Sequence, residues 1–249
     1  MGSGALSSRV AQVRAGIPHT VPLSTVNRQC SSGLQAITNV ASNIRAGHYL
    51  LGIAAGVESM SLNDMKGPLP AVDMPFIKRD RDAADVLIPM GLTSENVAMK
   101  FGIGRDEQDN FSAESHARAK RAQDLGLFDA EIVTVQDEGV RAGTTTAKLG
   151  GLKAVFKEGG TTTAGNSSQV SDGAAACLVT TRARAMELGL AMLGVLRSFA
   201  VVGVPPSVMG IGPAVAIPAA VARAGLALEQ VDVYELNEAF ASQATYCIK

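Results

Sequence analysis

Apolar positions fall into a few continuous or helically spaced runs, separated by breaks rich in Gly and Pro. Over 31–46, Leu34, Ile37, Ala41 and Ile44 recur at helical spacing, and Gly47 ends the run. Ahead of it, 21–27 (VPLSTVN) reads as a strand. Behind it, 50–57 (LLGIAAGV) is a continuous apolar run of the kind a buried parallel strand shows. These segments predict a strand–helix–strand unit, with a short helix over 5–15 before it that stops near Gly16 and Pro18. Residues 61–92 are irregular, broken by Pro68, Pro70, Pro75 and Pro89. Helical patterns follow at 93–102 and 106–125, the second exposing His116, Arg118, Lys120 and Arg121 on a charged face. Residues 131–165 are rich in Gly and Thr and show no period. The first pattern then resumes. Residues 173–180 (GAAACLVT) read as a buried strand, 181–188 as a helix and 192–202 as a strand. An Ala-rich helix over 213–224 is closed by Gly225, 231–236 (VDVYEL) alternates as a strand, and 238–249 begins a further helix. The fold class is α/β, with a mostly helical insertion over 61–160 seated on the α/β core.

Residues 198–222 carry no charge and are long enough to cross a bilayer, but Pro205, Pro206, Pro213 and Pro218 break them. They read as a buried strand, a turn and a helix, and no membrane partner is expected. The first residues lack a signal peptide's apolar core, and the last match no targeting or lipidation signal. Lys plus Arg is 22 and Asp plus Glu 23, a net charge of −1. That balance gives no electrostatic footprint for nucleic acid. With 47% apolar and 18% charged residues the chain can bury a core, which excludes a disordered class. Its three cysteines, odd in number and far apart, argue against a disulfide framework and a zinc site; no metal is expected.

Candidate chemistry centres on Asn27-Arg-Gln-Cys30-Ser-Ser-Gly33, where a strand runs into a cysteine and a helix starts at once. A thiol at a helix N-terminus is stabilised as thiolate by the macrodipole and free N–H groups, so Cys30 is a candidate nucleophile. A buried structural cysteine is the competing reading. Cys177, inside an apolar run, and Cys247, in the last helix, read as core. His19, His48 and His116 have no context that marks a base. Asn237, in Asn237-Glu238-Ala239-Phe240, ends a strand, where it can cap a helix or face a ligand. The loop Thr161-Thr-Thr-Ala-Gly-Asn-Ser-Ser168 could offer N–H and OH groups to a ligand, or be only a loop. Met209-Gly-Ile-Gly-Pro213 completes no phosphate-binding fingerprint.

Six stretches together resemble the thiolase family, nearest its peroxisomal 3-ketoacyl-CoA type (acetyl-CoA C-acyltransferases). They are STVNRQCSSGLQA (24–36), GVESMS (56–61), IPMGLTSENVA (88–98), TTAGNSSQVSDGAA (162–175), GVPPSVMGIGPAVAIP (203–218) and ELNEAFASQ (235–243), in family order. The resemblance implies a layered αβαβα fold. It implies partial halves: an N-terminal half over 1–60 and 161–190, a loop domain over 61–160, and the start of a C-terminal half over 191–249. It implies fatty-acid β-oxidation chemistry, in which a 3-ketoacyl-CoA is cleaved by CoA to acetyl-CoA and a shortened acyl-CoA through an acyl-enzyme. Cys30 matches the acyl-carrying cysteine. Asn237 matches an asparagine whose bound water helps hold the thioester oxygen. Ser168 matches a pantetheine-contacting serine, and Met90 lies in a segment lining the same channel. Coenzyme A enters as a substrate, with no cofactor bound permanently, and the family usually forms homodimers.

By the same resemblance the chain begins inside the first half and stops inside the second. The family's Gly-His-Pro histidine and its second, proton-shuttling cysteine belong to motifs expected after Lys249. The region around Ile132–Val135 looks shorter than in the family, as if a hairpin were deleted. Little turnover is therefore expected of this chain alone. Competing readings are a non-catalytic protein that binds CoA thioesters or a thiolase subunit, and an acetoacetyl-CoA thiolase. Localisation by resemblance is the peroxisome, with cytoplasm or mitochondrion as alternatives.

Overall fold

The computed structural model describes residues 4–62, 72–133 and 139–249. In chain order the elements are α1 (Ala5–Arg14), α2 (Ser32–Arg45), β1 (Leu51–Glu58), α3 (Met74–Ile77), α4 (Arg81–Asp85), α5 (Met90–Phe101), α6 (Arg105–Asp124), α7 (Thr146–Gly150), β2 (Gly173–Thr180), α8 (Arg182–Glu187), α9 (Gly212–Arg223) and α10 (Ala241–Ile248). A 3₁₀ turn, Pro206–Ile211, leads into α9, and another spans Leu228–Gln230. The chain divides into two compact units. The first holds 1–67 and 171–197, the second 68–170 and 198–249.

In the first unit α2 forms because Ile37, Val40, Ala41 and Ile44 make one apolar face, with Ala41 and Ile44 buried. It stops at Gly47, whose φ of +79° is open to glycine. There the Gly47 N–H donates to Ile44 O (3.1 Å) and the His48 N–H to Asn43 O (3.0 Å), a Schellman closure. The helix packs on β1 through small residues. A Cβ at Gly52 would lie 2.7 Å from Val40 Cγ1, and Ala54 is 4% exposed. β1 pairs with β2 in antiparallel register, Leu51 opposite Thr180 and Glu58 opposite Gly173.

This arrangement corrects several expectations. The 50–57 run was expected to be a parallel strand buried on both faces; it is antiparallel and only the α2 side is covered. Ile53 and Val57 on the other face are 53% and 75% exposed. A run that is apolar on both faces reads as core, yet burial needs a second layer, and in this unit only α2 supplies one. Cys177, expected in the core, is exposed: it lies opposite Ala54 on the α2 side, but α2 packs mainly on β1 and leaves β2 open. Segments 21–27, 192–202 and 231–236, expected as strands, have no ladder partner among the described residues. Extended propensity makes a strand only when a neighbour supplies the hydrogen bonds.

The second unit is mainly helical. α6 begins with Asp106 and Glu107, matched to the positive end of its dipole, and carries the Glu114–Arg118 pair (2.7 Å) on its charged face. α5 buries Thr93, Ser94, Glu95, Val97 and Ala98; α10 buries Ala241 to Thr245 and packs on α5 and α6. The charge-free stretch is a helical run, Pro206–Arg223, long and apolar enough by length and composition alone to cross a membrane. Its helix is interrupted at Val208 (φ −129°) and contains Pro218. Side chains fasten α9 to the segment before it: Ser198 Oγ donates to Ala220 O (2.6 Å) and Arg223 Nη1 to Phe199 O (2.8 Å). The expected shortening near Ile132–Val135 falls partly on 134–138, outside the described residues.

One carboxylate ties the ends of the β1–β2 ribbon. Asp172 accepts from the Ser61 N–H (2.8 Å) and the Ser59 hydroxyl (3.3 Å). The Ser61 backbone bond holds its carboxyl below the ordinary value. Because the folded group is the stronger acid, its stabilisation is complete above the ordinary carboxylate pKa and is lost as pH falls through the folded value. In urea titrations, Asp172→Ala should be less stable than the unsubstituted chain at pH 6, and the gap should begin to narrow below about pH 4 and go on closing as the pH falls further.

Candidate functional site

The segment 27–35 forms a tight elbow in the first unit. Asn27 Oδ1 accepts from the Gln29 N–H (2.8 Å), which turns the chain back on itself. Gln29 then takes φ +52°, the single positive φ outside glycine among the described residues. Such a conformation costs about 1–3 kcal/mol and persists only where the surroundings enforce it. Ser32 is the enforcer. Its hydroxyl donates to Gln29 O (2.6 Å) and accepts from the Arg28 N–H (2.8 Å). Arg28 also reaches Gln35 on the first turns of α2 (2.9 Å). Cys30 sits exposed at the crest of this elbow, one residue before the N-cap, Ser31. Ser31 makes no side-chain cap, and Cys30 stands at the N-terminal, positive end of α2. Among the described residues no imidazole hydrogen-bonds the Cys30 sulfur.

Met90, Ser168 and Asn237 belong to the second unit. Their frame is a buried polar network around Glu95, itself 6% exposed. Its carboxylate accepts from the Thr161 N–H (2.9 Å), the Thr161 hydroxyl (3.2 Å) and the Thr162 N–H (2.7 Å). Beside it Ser94 Oγ lies 2.9 Å from Thr162 Oγ1 and 2.8 Å from Ser242 Oγ, joining α5, the 161–168 loop and α10. Asn166 closes the loop, accepting from the Thr163 N–H (2.7 Å) and donating to Thr161 O (3.0 Å) and Asp109 Oδ1 (3.1 Å). Asp109, 1% exposed, is neutralised by Arg105 at 2.7 Å.

This network bears on the two readings left open for the 161–168 loop. The N–H groups of Thr161, Thr162, Thr163, Gly165 and Asn166 turn inward to Glu95, Asn166 and Thr163, and so are not offered to a ligand. The loop presents Ser168 instead. Its N–H donates to Ala239 O (3.0 Å), while the Ala241 N–H donates to Asn166 O (2.9 Å), so the loop and 237–241 run together. Ser168 and Asn237 thereby line one cleft of about 530 Å³, with Ser115, His116 and Glu238. Among the described residues no Lys or Arg lines it; Glu235 and Glu238 are acidic, and the rest are hydroxyl, amide, imidazole, glycine or apolar residues.

Met90 does not line that cleft. It begins α5 after Pro89, 38% exposed. Its neighbour Gly91 gives way to the Phe156 ring: a Cβ there would lie 2.2 Å from Phe156 Cδ1. Phe156 also meets Phe240 edge-on, centroids 6.3 Å apart at 85°. These two rings link the Met90 segment to the 237–241 segment. Sequence reading missed Phe156, whose surroundings carry no motif. It also missed His116, which a charged helix face concealed. Cys247 is half-buried; burial pushes its thiol up, and it donates to Gly210 O (3.6 Å).

Comparison with known proteins is consistent along the chain. Residues 1–183 match the family "Thiolase, N-terminal domain" and 190–249 "Thiolase, C-terminal domain". The chain is 57% identical to the peroxisomal 3-ketoacyl-CoA thiolase A of Mus musculus and 56% identical to the peroxisomal 3-ketoacyl-CoA thiolase of Homo sapiens. In each case all of the chain is matched, to 62% of the relative's length. The alignment has 265 positions against 249 residues, leaving 16 with no counterpart here. The dimeric peroxisomal thiolase of Saccharomyces cerevisiae superposes with a TM-score of 0.95 at 44% identity, over 98% of this chain and 65% of that one. Human mitochondrial 3-ketoacyl-CoA thiolase in complex with CoA gives 0.85 at 35% identity, over 99% and 67%. The fold is that of these α/β proteins, of which the chain spans about two thirds.

The geometry makes Glu95 the keystone of the second unit. Glu95→Ala should cost roughly 2–4 kcal/mol in denaturant unfolding, because the buried Thr162 N–H and the half-buried Thr161 N–H lose their acceptor. Glu95→Gln, which keeps an acceptor oxygen, should cost less.

Proposed function

The chain belongs to the thiolase family, and from that premise we propose that the protein carrying it is a 3-ketoacyl-CoA thiolase, an acetyl-CoA C-acyltransferase of fatty-acid β-oxidation. The observation that carries this reading is the exposed Cys30 thiol on the strained elbow at the head of α2. In the reaction the Cys30 thiolate adds to the C3 carbonyl of a 3-ketoacyl-CoA. The C2–C3 bond breaks, its electron pair goes to C2, and a proton there gives acetyl-CoA. The acyl group stays on Sγ as a thioester. The thiol of a second CoA, losing its proton, attacks that thioester and releases the shortened acyl-CoA and the Cys30 thiolate. Asn237 serves the thioester oxygen through a bound water.

The cleft supports CoA as the ligand. A lining that is mostly neutral, with hydroxyl, amide and apolar surface and no Lys or Arg, suits the amide-bearing pantetheine arm better than phosphates. Ser168 is assigned to that arm, with Met90 in the channel segment beside it. Residues 61–160 are assigned to a loop domain over CoA, 1–60 with 161–190 to the N-terminal half and 191–249 to the C-terminal half. We extend the dimer of the yeast relative and the peroxisomal location of the mouse and human relatives to this protein. A second reading has support in the cleft itself. Ser168 and Asn237 share it within one unit that does not include Cys30, which favours a chain that binds CoA thioesters without turning them over.

With the intact protein, 3-ketoacyl-CoA and CoA should yield acetyl-CoA, and mass spectrometry should find the acyl adduct on the Cys30 peptide. Cys30→Ser should lower turnover by roughly a thousandfold or more. Retained turnover, or an adduct elsewhere, would refute the assignment. Comparison of acetoacetyl-CoA with longer chains separates the acetoacetyl-CoA thiolase alternative. Assayed alone, residues 1–249 should bind CoA in calorimetry and show little thiolysis; normal turnover would overturn the expectation that further residues supply the base.

A further inference from the structure

Asn237 must be held to within a fraction of an ångström for its water to meet a developing oxyanion. Before it, the Tyr234 hydroxyl donates to Leu228 O (2.7 Å), and beyond it the chain is fastened to two neighbouring segments. Two main-chain bonds fasten Ala239 and Ala241 to the 166–168 loop. A third contact comes closer: the Ser115 hydroxyl donates to Glu238 Oε2 at 2.6 Å, one residue from Asn237. That length is typical of a hydroxyl bound to a carboxylate, roughly twice as strong as a neutral pair.

We propose that Ser115 and Glu238 form a positioning pair that fixes the Asn237 turn against α6. This inference rests on the thiolase reading of Asn237. α6 is a sound anchor, because its buried Asp109 accepts from Asn166 of the 161–168 loop (3.1 Å) and its Arg105 donates to Leu152 O (3.0 Å). The bond has a second consequence. It fixes where the Glu238 charge sits, beside an amide that must face a growing negative charge. A loose carboxylate there would oppose the transition state by like-charge repulsion. Ser115 and Glu238 are therefore positioning residues that act through Asn237.

The test is a double-mutant cycle in the intact protein, read by kinetics and by hydrogen exchange of peptides covering 237–241. Ser115→Ala and Glu238→Ala should each lower kcat by about threefold to tenfold, with any change in KM for CoA smaller than the loss in kcat. The double variant should be no worse than either single one. Glu238→Gln, which keeps an acceptor for the hydroxyl, should recover most of the rate. Exchange over 237–241 should quicken in both alanine variants and not in Glu238→Gln. Additive losses, or a raised KM with kcat intact, would overturn the proposal; the second result would make the pair ligand contacts. Should the unsubstituted protein show no thiolysis, the proposed activity fails, and unchanged exchange in Ser115→Ala would still overturn the pair.

Discussion

The buried Glu95 carboxylate is the constraint on which the second unit depends. A full charge at 6% exposure is tolerable only when its acceptor capacity is filled, and Thr161 and Thr162 fill it with two N–H groups and a hydroxyl. In return, a loop of small polar residues acquires one conformation. Ser94, Thr162 and Ser242 extend the network into α10, and Asn166 extends it to the Arg105–Asp109 pair of α6. Three helices and one loop then share one set of hydrogen bonds. Partly satisfied, such a network would be worse than an apolar core; satisfied, it specifies one arrangement.

The elbow at Cys30 applies the same economy in the first unit. Side chains close in sequence, Asn27 and Ser32, bond to main-chain groups at Arg28 and Gln29 and hold Gln29 in a left-handed conformation. The thiol is thereby lifted to the surface at the positive end of α2. Strain at Gln29 is offset locally, without help from distant segments. That independence suits a nucleophile, whose orientation must survive motions elsewhere in the chain.

Much of this was legible in the residues. The helical spacing of Leu34, Ile37, Ala41 and Ile44 gave α2 to within a residue, and Gly47 gave its end. The elbow was legible because its determinants are near neighbours in sequence. The six motif stretches identified the family that the N- and C-terminal domain matches then showed. Strands fared worse. The 21–27, 192–202 and 231–236 runs have strand composition but no partner among the described residues, and β1 lies antiparallel to a segment more than a hundred residues away. Phe156 gave no signal, since its meaning arises only where Gly91 and Phe240 meet it.

By itself the sequence determined what short-range physics can decide. It set which runs are helical, where glycine stops them, where a thiol stands at a helix start, and which family pattern the motifs spell. Tertiary structure alone decided where hydrogen bonds of the 161–168 loop point, why Ser168 rather than the loop amides faces the cleft, and which face of β1 is covered. Two of those outcomes depend on groups distant in sequence, Glu95 for the loop and Ala239 for Ser168, and the third on how α2, a near neighbour, packs on the ribbon. A donor's identity is written at its own position, but its partner is chosen by packing, and a residue's availability to a ligand is what packing leaves unpaired.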